Sequence, residues 1–427
     1  MANFRKAGSN PSIDDIKGGV GSLGNLPVAK KSDKLPLPGE GLSRYIHFNA
    51  DQSGCGFWRM IWPSEQLLVH NRAVVSTCYQ MVLNPHFYMG VDAVRLQRQC
   101  TEHQYEFVKA LRHFSTIKKE KTGKGFKLIW EVDDVVAPVA DIPEYNRCRD
   151  AFTNPQIGDT VKRIVHLCDE VSVVSERMRK HYSDFLSYDN ISVLPNYFPR
   201  NWADRLYDPE KIAKRFDRQK NKPTIGYAGS ATHFDIANKT KQRDDFHHVI
   251  HDIIKYVDDY NFVFFGGYPS NLTPYVKDGR IKHVPWGNLD KYPTILESLG
   301  VDVMIAPLMQ NSFSDSKSSI KFLEGAAIGV PVVCQDLPPY EMSPWKFNTS
   351  DEMFDHIKMI TYDESTYEYA SKLARSFIED FWLDDHLDEL QLVYDTPYAD
   401  ESRKKNKVFY ANNKSQFDKK KIPVYSV

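Results

Sequence analysis

The sequence predicts an α/β protein of two doubly wound parallel-sheet domains that face a cleft and carry flexible basic tails. Three observations predict it. Short β-branched or aromatic runs alternate with longer amphipathic stretches, and strands joined in this way lie parallel with helices on both faces of the sheet. The alternation occurs twice, interrupted by a polar stretch at 196–223. The charge is split: the formal net charge is −1, yet residues 1–44 carry 7 basic and 4 acidic side chains and residues 402–427 carry 8 basic and 1 acidic, which leaves an acidic body between basic ends. Hydrophobic residues make up 41%, enough for real cores and too many for a disordered chain.

Residues 1–44, frequent in Gly, Ser, Pro and Lys and without apolar period, read as a tail. Strands are then expected at 45–49, 73–79, 91–96, 126–132, 170–175 and 190–195, with helices near 101–118, 157–167 and 176–187, giving a first domain over 45–200. A linker follows at 201–222. The second domain, 223–363, carries strands at 224–229, 261–266, 280–285, 302–307 and 330–335, with helices near 243–259, 290–299 and 317–328. A long helix around 364–394, within 364–401, is expected to return to the first domain, and a basic tail closes the chain at 402–427. The start, MANFRKAGSN, has no apolar signal core, and no apolar run is long enough to span a membrane, so a cytoplasmic protein is expected. Six scattered cysteines show no C-x-x-C pair and no metal-ligand spacing, and four or five of them read as small buried hydrophobes.

Ligands of such sheets bind beyond the carboxyl ends of the strands. The most informative segment there is DVMIAPLMQNSFSDSKSSIKFLEGAAIGVPVV at 302–333. A strand ends at Pro307, and a polar loop leads into a helix capped by Asp315 or Ser316. Lys317 and Glu324 then lie two turns apart on one face, about 10.5 Å along the axis. Ser316, Lys317 and Ser318 at the helix start offer N–H groups, hydroxyls and a cation, an anion site. Glu324 can accept paired hydrogen bonds from a ribose diol. The spacing suits a nucleoside diphosphate; it also suits an ordinary helix whose Lys and Glu face water.

Three further loops follow strands. GYAGSATHFD places Gly226 and Gly229 where a backbone can approach a ligand, with Ser230, Thr232 and His233 as donors, or it is a turn with a solvated His. The next residues, 236–243, hold three cations and no acid and read as an exposed basic loop. GCGFW sets Gly54 and Gly56 in a close-approach loop with Arg59 placed to meet phosphate, or it is a plain tight turn. WEVDD sets Asp133 and Asp134 beyond a strand, where a carboxylate can hold sugar hydroxyls or take an acceptor's proton, or where the pair caps a helix. Adjacent carboxylates also fit a metal, but no third ligand is evident and no obligatory metal is expected.

SSIKFLEGAAIGVPVV resembles the donor-binding helix of GT-B glycosyltransferases related to glycosyltransferase family 4, with a Glu before a small-residue run and a Gly-x-Pro-Val-Val strand. GCGFWRMIWPSEQL resembles their Gly-rich first loop, and IGYAGSATHFD the loop that opens their second domain. The likeness runs over about residues 45–395. It implies two Rossmann-like domains, a nucleotide-diphosphate sugar donor (a UDP-sugar), retention at the anomeric carbon and no protein nucleophile. It implies donor contacts at Gly229, Ser230, His233, Ser316, Lys317, Ser318 and Glu324, an acceptor-side loop at Gly54, Gly56 and Arg59, and catalytic roles for Asp133, Asp134 and Lys317. One position departs from it: many members carry a second Glu eight residues before the first, and here that residue is Ser316.

The expected activity is therefore glycosyl transfer to a hydroxyl. The lack of a membrane-seeking helix and the basic tails resemble bacteriophage-type enzymes that glycosylate hydroxymethylated bases in DNA. The cations of 402–427 are interleaved with Phe409, Tyr410, Phe417 and Tyr425, able to neutralise phosphates and stack on bases. A polysaccharide or protein acceptor, an epimerase on the same fold, and a non-catalytic nucleic-acid-binding protein are the competing readings.

Overall fold

The two runs of strand–helix alternation form two six-stranded sheets, and every strand pairing in them is parallel. The computed structural model describes residues 41–135, 142–210, 222–236, 240–241, 243–287 and 291–395. The first sheet contains β1 (Ser43–Phe48), β2 (Ala73–Cys78), β3 (Ala93–Gln97), β4 (Lys127–Glu131), β5 (Glu170–Val173) and β6 (Ile191–Val193), in the order β2-β1-β3-β4-β5-β6. The second contains β7 (Thr224–Gly229), β8 (Asn261–Gly266), β9 (Ile281–Val284), β10 (Val303–Ala306), β11 (Val332–Gln335) and β12 (Lys346–Phe347), in the order β12-β11-β10-β7-β8-β9. The chain winds outward in both directions from β1/β3 and from β7/β10. At such switch points the connections leave on opposite faces and open a crevice. The loops after those strands are where a ligand of such a fold is expected.

Local chemistry sets the elements. The longest helix, Glu102–Thr122, starts in a capping box of Thr101 and Gln104 and stops at Gly123, whose φ of 82° ends the helical path. It buries Phe107, Val108 and Leu111, spaced for one helix face, in the core of the first lobe. A second core fills the other lobe, and a third runs between the lobes from Trp58 and Trp62 to Met304, Leu323 and Trp382.

Three expectations change. β1 begins at Ser43, inside the stretch read as a tail, and the two-residue β12 pairs with Cys334 and Gln335 without an apolar run to announce it. The single helix over 364–394 is two. Glu364–Ile378 lies on the second lobe, where the Ser371 hydroxyl and the Arg375 guanidinium donate to the carbonyls of Gly329 and Ala327. Leu387–Asp395 lies on the first lobe. The break falls at Trp382, whose extended backbone lets residues 381–383 run beside Phe198: Phe198 N–H donates to Phe381 O at 2.8 Å and Leu383 N–H to Phe198 O at 2.9 Å. The returning helix brings Tyr394 into a buried polar layer, where its hydroxyl is 2.8 Å from His47 Nε2 and 3.2 Å from Arg95. Burial and the nearby Arg95 push the His47 pKa down to about 3, so it is neutral there. Residues 1–40, 211–221 and 396–427, which hold most of both tails and of the expected linker, lie outside the described residues. Among the described residues, no helix is long and apolar enough to cross a membrane.

Candidate active site

The residues expected on the donor side lie at the end of β7 and in the segments after β7 and β10. Helix Ile320–Ala327 begins at Ile320, not at Asp315 or Ser316. Asn311 caps a separate short turn, Ser312–Asp315, by accepting from Ser314 N–H, and the chain re-enters helix only after Ser319. Lys317 is therefore in a loop and does not share two turns of helix with Glu324. Its Nζ lies over the Phe313 ring and 4.0 Å from Asp134 Oδ1 of the first lobe. Ser316 donates to Ser312 O at 2.9 Å, and Ser318 accepts from Asn196 of the first lobe at 2.9 Å.

The cation on the helix is Lys321, which the spacing of Lys317 and Glu324 does not single out although it sits one turn before Glu324. Its Nζ is 3.3 Å from His233 Nε2 and faces the Tyr227 ring. Burial and the nearby Lys317 lower its pKa to about 8, against the pull of Glu324 and Asp245. His233 is buried rather than solvated. Its Nδ1 is 2.6 Å from Asp245 Oδ2, and burial with Lys321 lowers its pKa to about 4. Asp245, also without a signal in the sequence, takes a 2.5 Å hydrogen bond from the Tyr145 hydroxyl and a 2.8 Å one from Met309 N–H. Burial alone would raise Asp245; these donors and His233 hold it below the usual carboxylate range.

Glu324 is buried and accepts from the Tyr292 hydroxyl at 2.8 Å; the Trp58 side chain, from the first lobe, also bonds to it. Burial raises its pKa to about 7 against these partners and Lys321. Beyond Tyr292 stands Trp286, directly after β9, with ring centroids 5.4 Å apart and with Phe265 as a further neighbour at 5.3 Å. Trp286 stays 41% exposed, an open aromatic face at the end of the sheet. Ser230 ties down its own turn through Thr232. A Cβ at Gly229 would meet the Tyr227 hydroxyl at 2.4 Å, so this glycine makes room for a neighbouring side chain.

The first-lobe loops face these residues. Arg59, expected to meet phosphate, is buried and committed: it donates to Glu131 Oε1 at 2.6 Å, Leu194 O at 2.5 Å and Asn196 Oδ1 at 3.0 Å. It braces the sheet and the lobe crossing, with its Nη2 buried and without a hydrogen-bond partner among the described residues. A Cβ at Gly56 would strike Asp51 O at 2.2 Å, whereas nothing lies within 4 Å of one at Gly54, so only Gly56 is required by packing. Asp133 and Asp134 reach the cleft beside Cys55, whose sulfur lies with their oxygens inside 4.8 Å. Cys55 is the third group that the sequence did not reveal. Arg98 stands beside them, with Nε 3.6 Å from Asp133 Oδ1, and supplies the positive charge there. Burial raises the pKa of Asp133 and of the Cys55 thiol, and Cys55, Asp133 and Asp134 together form a group able to hold a metal ion, with the third ligand that the sequence did not show. Asp133 Oδ1 and Arg98 Nε both lack hydrogen-bond partners among the described residues. A cavity of about 490 Å³ is lined by Tyr145 of the first lobe and by Met309, Lys241 and Arg243 of the second. Lys241 and Arg243 belong to the basic loop of the sequence; residues 237–239 and 242 of it lie outside the described residues.

No protein-family model matches the chain, and no curated protein matches it. Solved structures do. Alr3699/HepE of Anabaena in complex with UDP superposes with a TM-score of 0.52 at 12% identity, over 82% of this chain and 99% of that one. The same protein with UDP and glucose gives 0.53 at 11% identity, with the same coverage. Sucrose-phosphate synthase from Thermosynechococcus elongatus gives 0.52 at 10% identity, over 83% of this chain and 98% of that one. At these identities the likeness is one of fold: two parallel six-stranded sheets in the GT-B arrangement.

Proposed function

We propose that this chain is a glycosyltransferase that moves a sugar from a UDP-sugar to a hydroxyl acceptor. One observation carries the reading. Trp286, Glu324 and the Lys321–His233 pair succeed one another along the second lobe, linked through Tyr292 and one helical turn, in the order a nucleotide sugar needs. The open tryptophan face takes the base, the buried carboxylate takes the ribose hydroxyls, and the enclosed ammonium takes the diphosphate. The UDP held by HepE on the same fold supports this choice of donor. Across the cleft, Asp133 and Asp134 hold acceptor hydroxyls. The acceptor oxygen bonds to the anomeric carbon as the bond to the β-phosphate oxygen breaks, the electron pair leaves with UDP, and the acceptor's proton passes to that oxygen with retention. The growing charge on the leaving group is met by fixed positive groups.

Glu324→Ala is expected to weaken UDP binding by about 1.5–3 kcal/mol, the scale of charge-assisted hydrogen bonds to the ribose. Calorimetry with UDP and with UDP lacking the ribose 2′-hydroxyl checks it. The wild type should prefer UDP and the variant should not; an undiminished preference in the folded variant refutes the ribose assignment.

For the acceptor we propose a hydroxymethylated base in DNA, flipped into the cleft. The support is the charge split, with 8 basic residues and 1 acidic residue at 402–427. Deleting 402–427 is expected to leave UDP binding intact and to make the salt dependence of DNA binding shallower by about 0.9 for each phosphate that the tail no longer neutralises. Binding titrations at two salt concentrations measure this, and superimposable curves for full-length and truncated protein remove the case for DNA.

A further inference from the structure

Asp245 is a buried carboxylate with three donors drawn from three parts of the chain, and its place next to His233 fixes the direction of a chain of hydrogen bonds. A carboxylate only accepts, so the imidazole proton sits on Nδ1, 2.6 Å from Asp245 Oδ2. The Nε2 lone pair then faces Lys321 Nζ, 3.3 Å away, and the ammonium must be the donor. On the far side of Asp245 the Tyr145 hydroxyl donates at 2.5 Å. Tyr145 belongs to the connection between β4 and β5 of the first lobe, whereas Asp245, His233 and Lys321 belong to the second. This bond therefore exists only while the two lobes are together.

We propose that Tyr145, Asp245 and His233 are positioning residues, a relay that holds the Lys321 ammonium toward the donor diphosphate and does so fully only when the lobes are closed. The inference rests on the reading of Lys321 as the diphosphate cation. Tyr145 and Met309, which both bond to Asp245, also line the cavity that Lys241 and Arg243 share.

The consequence is a pH signature. Lys321 is faced by His233, Asp245, Glu324, Lys317 and Cys334, and by the Tyr227 ring. Diphosphate binding needs the protonated amine, so UDP affinity falls as pH rises through the lysine's pKa. Asp245→Asn removes a negative charge that helps Lys321 keep its proton. The amide can also donate to Nδ1, which would move the imidazole proton to Nε2 and aim an N–H at the ammonium. Both changes shift the loss of affinity to lower pH.

The test is calorimetric binding of UDP and of uridine from about pH 6 to pH 9 to the wild type, Asp245→Asn, Asp245→Glu and Tyr145→Phe. UDP binding to Asp245→Asn should be about tenfold weaker at the alkaline end, with a downward shift of the midpoint by about one pH unit. Uridine, which has no phosphate, should bind as before, and Asp245→Glu should recover part of the UDP affinity. Tyr145→Phe should weaken the binding of UDP and not of uridine, with the midpoint little moved because Asp245 keeps its charge. Equal weakening of UDP and uridine, or an unmoved midpoint in Asp245→Asn, overturns the relay. If Asp245→Asn fails to melt cooperatively, Tyr145→Phe decides alone, and a UDP curve identical to the wild type's overturns it. A wild type that binds uridine but gains nothing from the diphosphate overturns instead the assignment of Lys321 on which the relay rests.

Discussion

Lys321→Met should lower kcat for sugar transfer by about a hundredfold to a thousandfold, the cost of removing one preorganised charge from a developing anion. The loss should fall mainly on kcat, because the diphosphate carries more charge as the sugar leaves than it does in the bound donor. Methionine keeps most of the length of the side chain and removes the ammonium, which lies over the Tyr227 ring. Lys317→Met should cost less: that side chain is one-fifth exposed and is shared with Asp134 across the cleft. Steady-state kinetics of UDP release in the presence of acceptor compares the two variants. A larger loss at Lys317 than at Lys321 would return the diphosphate to the loop residue that the sequence pointed to.

Glu131→Ala should destabilise the protein by about 3–5 kcal/mol, because it leaves buried positive charge uncompensated. Glu131 accepts from Arg59, Arg95 and Ser172 with no exposed atom. Burial alone would raise its pKa, but the two guanidinium groups outweigh this and keep it charged. Replacement of the carboxylate by a methyl group strands both arginines in the first lobe. Denaturant unfolding measures the effect. A change below 1 kcal/mol, roughly that of an exposed ion pair, would mean that water reaches this layer.

The strands were legible because buried parallel strands need unbroken apolar runs: TIGYAG and NFVFFG occupy β7 and β8 with the expected bounds. The start of the helix that carries Glu324 was not. NSFSDSKSS offers several residues able to cap a helix, and only the three-dimensional path shows that Asn311 caps a short turn and that the helix proper waits until Ile320. Arg59 carries the same side chain whether it grips a phosphate or a carboxylate, and its partner Glu131 is 72 residues away. Asp245 and Tyr145 are 100 residues apart and meet only through the packing of two lobes. Lys321 was within reach, since a cation one turn before a buried Glu is a local pattern.

The Tyr394 contacts bear on how the chain comes into being during synthesis. The buried polar layer of the first lobe is completed by the His47–Tyr394 bond, and the ring of Tyr45 stacks on Tyr394 at 4.3 Å. The strands of that lobe end at Val193, so at about 5–20 residues per second the ribosome needs roughly 10–40 s more to supply the residue that closes it. Until then the first lobe lacks its last helix, with Tyr45 and His47 missing their partner. The nascent first half therefore waits as an unfinished unit, the second lobe can form before the first is complete, and a chain truncated before residue 394 loses the first lobe's final packing rather than a dispensable end.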